Sequence, residues 1–203
     1  MKTDDHLLLG KYLLKMKKLS LSPQKEKWFL IGCVEPDYNP FTYIRGSFKY
    51  KFLHGHNALN CMKHINKIVD KLSKFVVSTP YQWFLLGTAV HYIADCFTFA
   101  HNEFFYGDMS QHMKYERLLQ PIFHNYIDGL TEPQNKYKTY CFNLSFYHNK
   151  YQNENRSYLT DCEYIVSSTE KLLDSLELAK DEVPLMGEHL MTSQYKKIRS
   201  EIR

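Results

Sequence analysis

The chain has 203 residues, 44% hydrophobic and 24% charged, which suits a single globular domain over residues 1–203 with a substantial core and excludes a disordered tail. Eight Gly and seven Pro are too few for a collagen-like chain, or for an all-β protein that must turn about every ten residues. A formal charge of +4 is too mild to point to nucleic acid or an anionic membrane, whereas ten His, with 16 Tyr and 13 Phe, invite a search for metal-ligand spacing.

The N-terminal MKTDDHLLLGKYLLKMKK places Asp4 and Asp5 ahead of a short apolar run that Lys11 interrupts. It carries no signal-peptide core, and the expected location is cytoplasmic, with export by a non-classical route the alternative. Thr3, Asp4 and Asp5 read as a helix start, and Leu7, Leu8, Tyr12, Leu13 and Met16 form an apolar face up to about Lys18. Ser22-Pro23 offers the cap and first turn of a second helix, expected to end at Pro36. From there to about Gly55 the chain is aromatic and irregular. Asn57 to Val76 carries Leu59, Met62, Ile65, Ile68, Val69, Leu72 and Phe75 on one stripe, and Thr79-Pro80 opens a helix reaching at least Asp95.

Phe75 to Ala94 contains no Asp, Glu, Lys or Arg, over a length that would span a membrane. Pro80 restarts the helix inside that run, and Ser78, Thr79, Gln82 and His91 are polar, so a buried core helix is the expected structure. Helical patterns recur at roughly 109–128, 157–179 and 187–200, while 134–155 suits either helix or a long ordered loop. Five Cys (33, 61, 96, 141 and 162), without any C-x-x-C pair, read as reduced thiols. The expected architecture is an all-α, single-domain multi-helix bundle.

The strongest local signal is His91-Tyr-Ile-Ala-Asp95. Four residues advance a helix by about 400°, so both side chains fall on one face and can share a cation. His112-Met-Lys-Tyr-Glu116 repeats the spacing on the following helix. His101 lies six residues after Asp95, about 120° away on an unbroken helix; it either serves another ion or sits past a helix break. A single His on an apolar helix is more often a hydrogen-bonded core or surface residue, and His64, His124, His148 and His189 read that way. For His91 and Asp95 that account weakens, because a carboxylate buried in a charge-free helix is costly unless paired or metal-bound. Upstream, His6, Asp37, His54 and His56 are further candidates; each has an ordinary reading as a helix-start, turn or loop residue.

The ordered set of His6, FLIGCVEPD with Asp37, GHN with His56, LGTAVHYIADCFTFAHNEFF with His91, Asp95 and His101, and HMKYE with His112 and Glu116 resembles the zinc-dependent phospholipase C family. The resemblance covers about the first 120 residues and rests on H-x3-D-x5-H followed by H-x3-E. It implies an all-α bundle with a polynuclear zinc cleft holding two or three Zn2+ ions, related in fold to zinc-dependent single-strand nucleases. By that resemblance Asp37, His56, His91 and Asp95 would hold one zinc. Asp95 would bridge to a second that also takes His6 and the chain's amino terminus, while His101, His112 and Glu116 would hold the third. Secreted members present an N-terminal Trp there, whereas residue 1 here is Met, which makes the zinc that depends on His6 the least secure.

The implied activity is phosphodiester hydrolysis by a metal-bridging hydroxide, with Asp37 as ligand and proton acceptor and a phospholipid as first-choice substrate. Transient contact with a membrane surface fits that substrate, and no stable nucleic-acid partner is expected. Tyr38, Phe41, Tyr43, Phe104, Phe105 and Tyr106 would line the cleft or box a cationic head group, or else pack the core. Two alternatives stay open: a zinc-dependent nuclease, against which Lys196, Lys197, Arg199 and Arg203 lie far from the motifs, and a catalytically silent metal-binding or interaction protein of the same fold.

Overall fold

The computed structural model describes residues 1–44, 53, 56–134, 141–179 and 181. The sequence expectations for His54, His189, the 187–200 helix and the C-terminal basic residues lie outside the described residues, as does the side chain of Tyr43. Seven α-helices are described: α1 (Thr3–Met16), α2 (Pro23–Tyr38), α3 (Ala58–Leu72), α4 (Pro80–Cys96), α5 (Met109–Gly129), α6 (Leu144–Gln152) and α7 (Tyr158–Asp174), with 3-10 turns at Pro40–Ile44 and Phe99–His101. No strand occurs among the described residues; one isolated bridge joins Val77 to Leu178. The all-α expectation stands.

The charge-free run is the axis of this bundle. Thr79 caps α4 in a capping box with Gln82, and Pro80 occupies the first turn, where its missing N–H costs nothing. From Leu86 through Cys96 every residue of α4 is buried, so the helix is apolar all round because it is surrounded, by α2, α3 and α7. Burying side chains such as Trp83, Leu86 and Ile93 contributes on the order of 1.5–3 kcal/mol each, which is what holds this helix at the centre. No described helix is long and apolar enough to cross a membrane. Cys33, Cys61, Cys96 and Cys162 are buried free thiols, and Cys141 is an exposed one.

The closest approach is between α2 and α4. A Cβ added at Gly32 would lie 2.1 Å from the Phe84 carbonyl oxygen, and one at Gly87 would lie 2.1 Å from that of Phe29. Only two glycines facing each other allow the backbones to meet in this way.

Several expectations need correction. The second helix does not stop at Pro36 but continues to Tyr38, so Asp37 sits on a helical last turn. Pro36 forfeits a single hydrogen bond there, which a helix end tolerates. Helix α1 begins at Thr3 and Ser22 is the N-cap of α2, both as expected, although Ser22 makes no side-chain cap bond and the N-cap of α1 is Lys2. Leu59 is exposed at the start of α3, and Phe75 lies beyond its end and is 67% exposed. Within 134–155, helix α6 occupies the second half.

Candidate metal centre

Helix α4 delivers His91 and Asp95 to the interior one turn apart. Because α2 lies against α4, His91 Nδ1 reaches the carbonyl of Cys33 at 2.9 Å. A carbonyl only accepts, so Nδ1 carries the hydrogen and Nε2 turns its lone pair inward. That Nε2 lies 3.3 Å from Asp95 Oδ2 and 3.6 Å from Asp37 Oδ1, with no hydrogen-bond partner among the described residues. Asp37 is aimed from the last turn of α2, its Oδ2 accepting from Thr3 Oγ1 at 2.7 Å.

His6, from the first turn of α1, stacks on His91 with ring centroids 3.7 Å apart. Its Nε2 is 3.3 Å from Asp95 Oδ1, and neither ring nitrogen is hydrogen-bonded among the described residues. His56 lies just ahead of α3, whose N-cap is Asn57. Its Nε2 is 3.1 Å from Thr42 Oγ1, and that hydroxyl directs its own hydrogen to the carbonyls of Pro36 and Asn39. Nε2 is therefore the donor, and His56 Nδ1 faces Asp95 Oδ2 at 3.2 Å.

The open question about His101 is answered by a helix break. Helix α4 ends at Cys96, and the 3-10 turn at Phe99–His101 folds His101 back over the centre. Its Nδ1 lies 3.1 Å from the carbonyl of His56, leaving Nε2 to face Glu116 Oε1 at 3.0 Å and His112 Nε2 at 3.2 Å. His112 and Glu116 come from one face of α5, with the imidazole 3.4 Å from the carboxylate. The Met1 amino group completes the cluster, 2.9 Å from Asp95 Oδ1, 3.0 Å from Glu116 Oε1 and 3.0 Å from His101 Nε2.

Burial and mutual charge set the protonation of these groups. Burial, reinforced by neighbouring His91, lowers His6 to about 4, and burial next to His101 lowers His112 to about 4, so both are neutral, ligand-ready imidazoles near pH 7. Burial alone would raise Asp95, yet His101, the Met1 ammonium, His91 and His6 outweigh it and hold the carboxyl well below its usual range. In Glu116 the ammonium and His101 likewise overcome burial and lower the carboxyl. Asp37 is lowered by His6 and His91 against the same opposing effect. Burial opposes charge on His91, but Asp95 and Asp37 raise it. Burial also opposes charge on the Met1 amine, which Asp95 and Glu116 nonetheless push up to about 11.

Three imidazoles spend one nitrogen on a protein acceptor and turn the other towards carboxylate oxygens, an arrangement that calls for positive charge between them; the Met1 ammonium supplies it beside His101, and a metal cation would supply it at His56 and His91. The ligand atoms form three groups, each within 4.8 Å: His6, His91 and Asp95; Asp37, His56 and His91; and His101, His112 and Glu116. Mixed nitrogen and carboxylate donors of this kind suit zinc, and three ligands leave positions open for water or substrate. A cleft of about 530 Å³ opens onto the cluster, with Asp37, Tyr38, His56, His101, His112 and Glu116 on its walls. Of the other aromatics, Phe104 and Phe105 pack on Phe99, Phe41 is exposed, and Tyr106 is 92% exposed. Among the remaining histidines, His64 meets the ring of Tyr92, His124 pairs with buried Asp5 at 2.9 Å, and His148 is buried against Asn102.

An all-helical bundle with clustered His, Asp and Glu beneath an open cleft defines a polynuclear metalloprotein. The family model described as "Zinc dependent phospholipase C" matches residues 5–173, and the chain belongs to that family. Zinc is accordingly its metal, and the three groups offer sites for several ions. Neither the curated proteins nor the solved structures compared with it match the chain.

Sequence reasoning missed the outward partners of the histidines. The carbonyls of Cys33 and His56 leave no sequence signal, because every residue has one. Thr42, the partner of His56, and Thr3, the partner of Asp37, become visible only once the turn after α2 and the start of α1 are placed.

Proposed function

We propose that the chain is a zinc-dependent phosphodiesterase of the phospholipase C type, acting on a phospholipid head-group bond at a membrane surface. The observation that carries this reading is the set of inward-facing nitrogens, of His56 and His91 towards Asp95 and of His101 towards Glu116, beneath an accessible cleft. His6, Asp37, His56, His91 and Asp95 would hold one part of the cluster, and His101, His112 and Glu116 the other, with the Met1 amino group between them. Zinc, when bound, supplies Lewis acidity towards a phosphoryl oxygen and acidifies water.

The protein's own residues supply orientation and proton handling. Asp37 stands at the cleft wall, ionised and fixed by Thr3, where it can orient water and take its proton. The hydrogen bonds of His91 and His101 to backbone carbonyls fix both rings, so their lone pairs are positioned before substrate arrives. Tyr38, 76% exposed at the cleft, offers an aromatic face to an incoming head group.

Metal analysis of purified protein, together with hydrolysis of a chromogenic phosphodiester and its reversal by chelator, tests the reading. Two or three zincs per chain and chelator-sensitive turnover of phospholipid are expected. Less than one zinc per chain refutes the metalloenzyme, full metal without turnover favours a silent relative, and preference for single-stranded DNA makes the protein a nuclease. His91→Ala should abolish metal and turnover together.

A further inference from the structure

Asp161, in the first turn of α7, is 1% exposed and 45 positions beyond the last expected metal ligand, Glu116. An acidic residue there would ordinarily face solvent and complement the helix dipole. This one points inward and receives three hydrogen bonds from three other elements. Its Oδ2 accepts from the Phe99 backbone N–H at 2.9 Å and the Tyr115 hydroxyl at 2.8 Å; its Oδ1 accepts from the Tyr151 hydroxyl at 2.7 Å.

The origin of the donors gives the carboxylate its meaning. Phe99 opens the 3-10 turn that ends in His101. Tyr115 precedes Glu116 on α5, between the two ligand candidates of that helix. Tyr151 belongs to α6, which supplies no candidate ligand. One buried oxygen thus joins the turn bearing His101 to the helix bearing His112 and Glu116. Arg156, in the approach to α7, braces the same turn: its guanidinium lies 4.9 Å from the Phe99 ring centroid and 4.7 Å from that of Phe104.

We propose that Asp161 is a positioning residue for the His101–His112–Glu116 group, its carboxylate setting the distance between the two elements that carry those ligands. The proposal rests on the reading that this group holds a zinc ion. Burial without a cation among its three donors is costly for a carboxylate, and the cost falls when all three bonds are made; the geometry that makes them also places His101 Nε2 within 3.0 Å of Glu116. Outer-shell groups of this kind typically change metal affinity about 10–100-fold when altered.

The test compares Asp161→Asn, Tyr115→Phe and Tyr151→Phe, measuring zinc stoichiometry by mass spectrometry, zinc affinity by competition with a fluorescent chelator, and thermal melting of the metal-free proteins. Asp161→Asn and Tyr115→Phe should weaken one zinc equivalent about 10–100-fold while the others remain. Tyr151→Phe should lower the melting temperature but retain wild-type zinc affinity. Should Asp161→Asn not fold, Tyr115→Phe carries the comparison. Wild-type affinity in Tyr115→Phe, or an equal zinc loss in Tyr151→Phe, overturns the positioning role. His112→Ala separates this from the reading beneath it: if that variant keeps every zinc, the metal assignment of the group and the positioning role both fall. If it loses one while Asp161→Asn and Tyr115→Phe do not, only the positioning role falls.

Discussion

Replacing Gly87 with alanine places a methyl group 2.1 Å from the Phe29 carbonyl oxygen, 2.8 Å from the Cys33 nitrogen and 3.0 Å from the Gly32 carbonyl carbon. All three are backbone atoms, so no rotamer change relieves the clash. Ordinary contact begins at 3.4 Å, and α2 and α4 must separate by about 1.3 Å to reach it. The His91 Nδ1–Cys33 bond, now 2.9 Å, is then stretched beyond hydrogen-bond range. Overpacking costs about 1–3 kcal/mol and a broken buried hydrogen bond about 1–3 kcal/mol, while alanine returns about 1 kcal/mol of helix propensity. The net loss of about 1–5 kcal/mol corresponds to a fall of roughly 2–20 °C in melting temperature for a domain of this size. Displacement of His91 from Asp37 by about 1 Å should further reduce turnover about a hundredfold. Thermal melts of the metal-free protein, zinc content and phosphodiester hydrolysis read these effects. Gly129→Ala, where a Cβ meets nothing within 4 Å, is the control. A Gly87→Ala protein that melts within about 2 °C of wild type and binds its full zinc complement would refute the reasoning.

A Gly-Ser extension ahead of Met1 moves the amino group out of reach of Asp95 and Glu116 and should remove at least one zinc equivalent, measured by mass spectrometry, whereas an equal extension at the C-terminus should not. Full zinc content in the N-terminally extended protein would show that the amine is not needed. In the metal-free chain, His148 is lowered by burial to about 4 from an ordinary value of 6.5. Between those values the unfolded chain binds the extra proton, so stability is fully present above about pH 6.5 and falls as pH drops towards 4, by up to about 3 kcal/mol for this residue. His148→Gln keeps a donor for Asn102 without the titration and should show a smaller loss of urea midpoint between about pH 7.5 and pH 5; an unchanged loss would remove His148 from the account.

Much of α4 is legible in the sequence because its signals agree: a Thr-Pro start, a charge-free run too long for an exposed helix, and His91 and Asp95 one turn apart. Pro36 misled because proline reads as a stop, yet in the last turn it forfeits only one bond, and the two further residues carry Asp37 into the site. His101 left two alternatives because helical azimuth is defined only while the helix continues, and the break at Cys96 depends on packing around the turn that follows. Asp161 carries no signal in the sequence, because its partners are 62, 46 and 10 positions away and lie on other elements. The orientation of the histidines was illegible for a different reason, since it is set by main-chain carbonyls.

The amino group of Met1 meets Asp95 and His101 across 94 and 100 residues. Contacts of such separation carry a large loop-closure cost, which the packing of the intervening helices must offset. His6 and the amine find their partners on α4 and α5, and the turn bearing His101 is tied to Asp161 in α7. The centre is a property of the finished bundle: a fragment ending before α7 would bring every candidate ligand while lacking Asp161. Zinc retention therefore serves as a readout of complete folding, more searching than helical content, which each helix can begin to report alone.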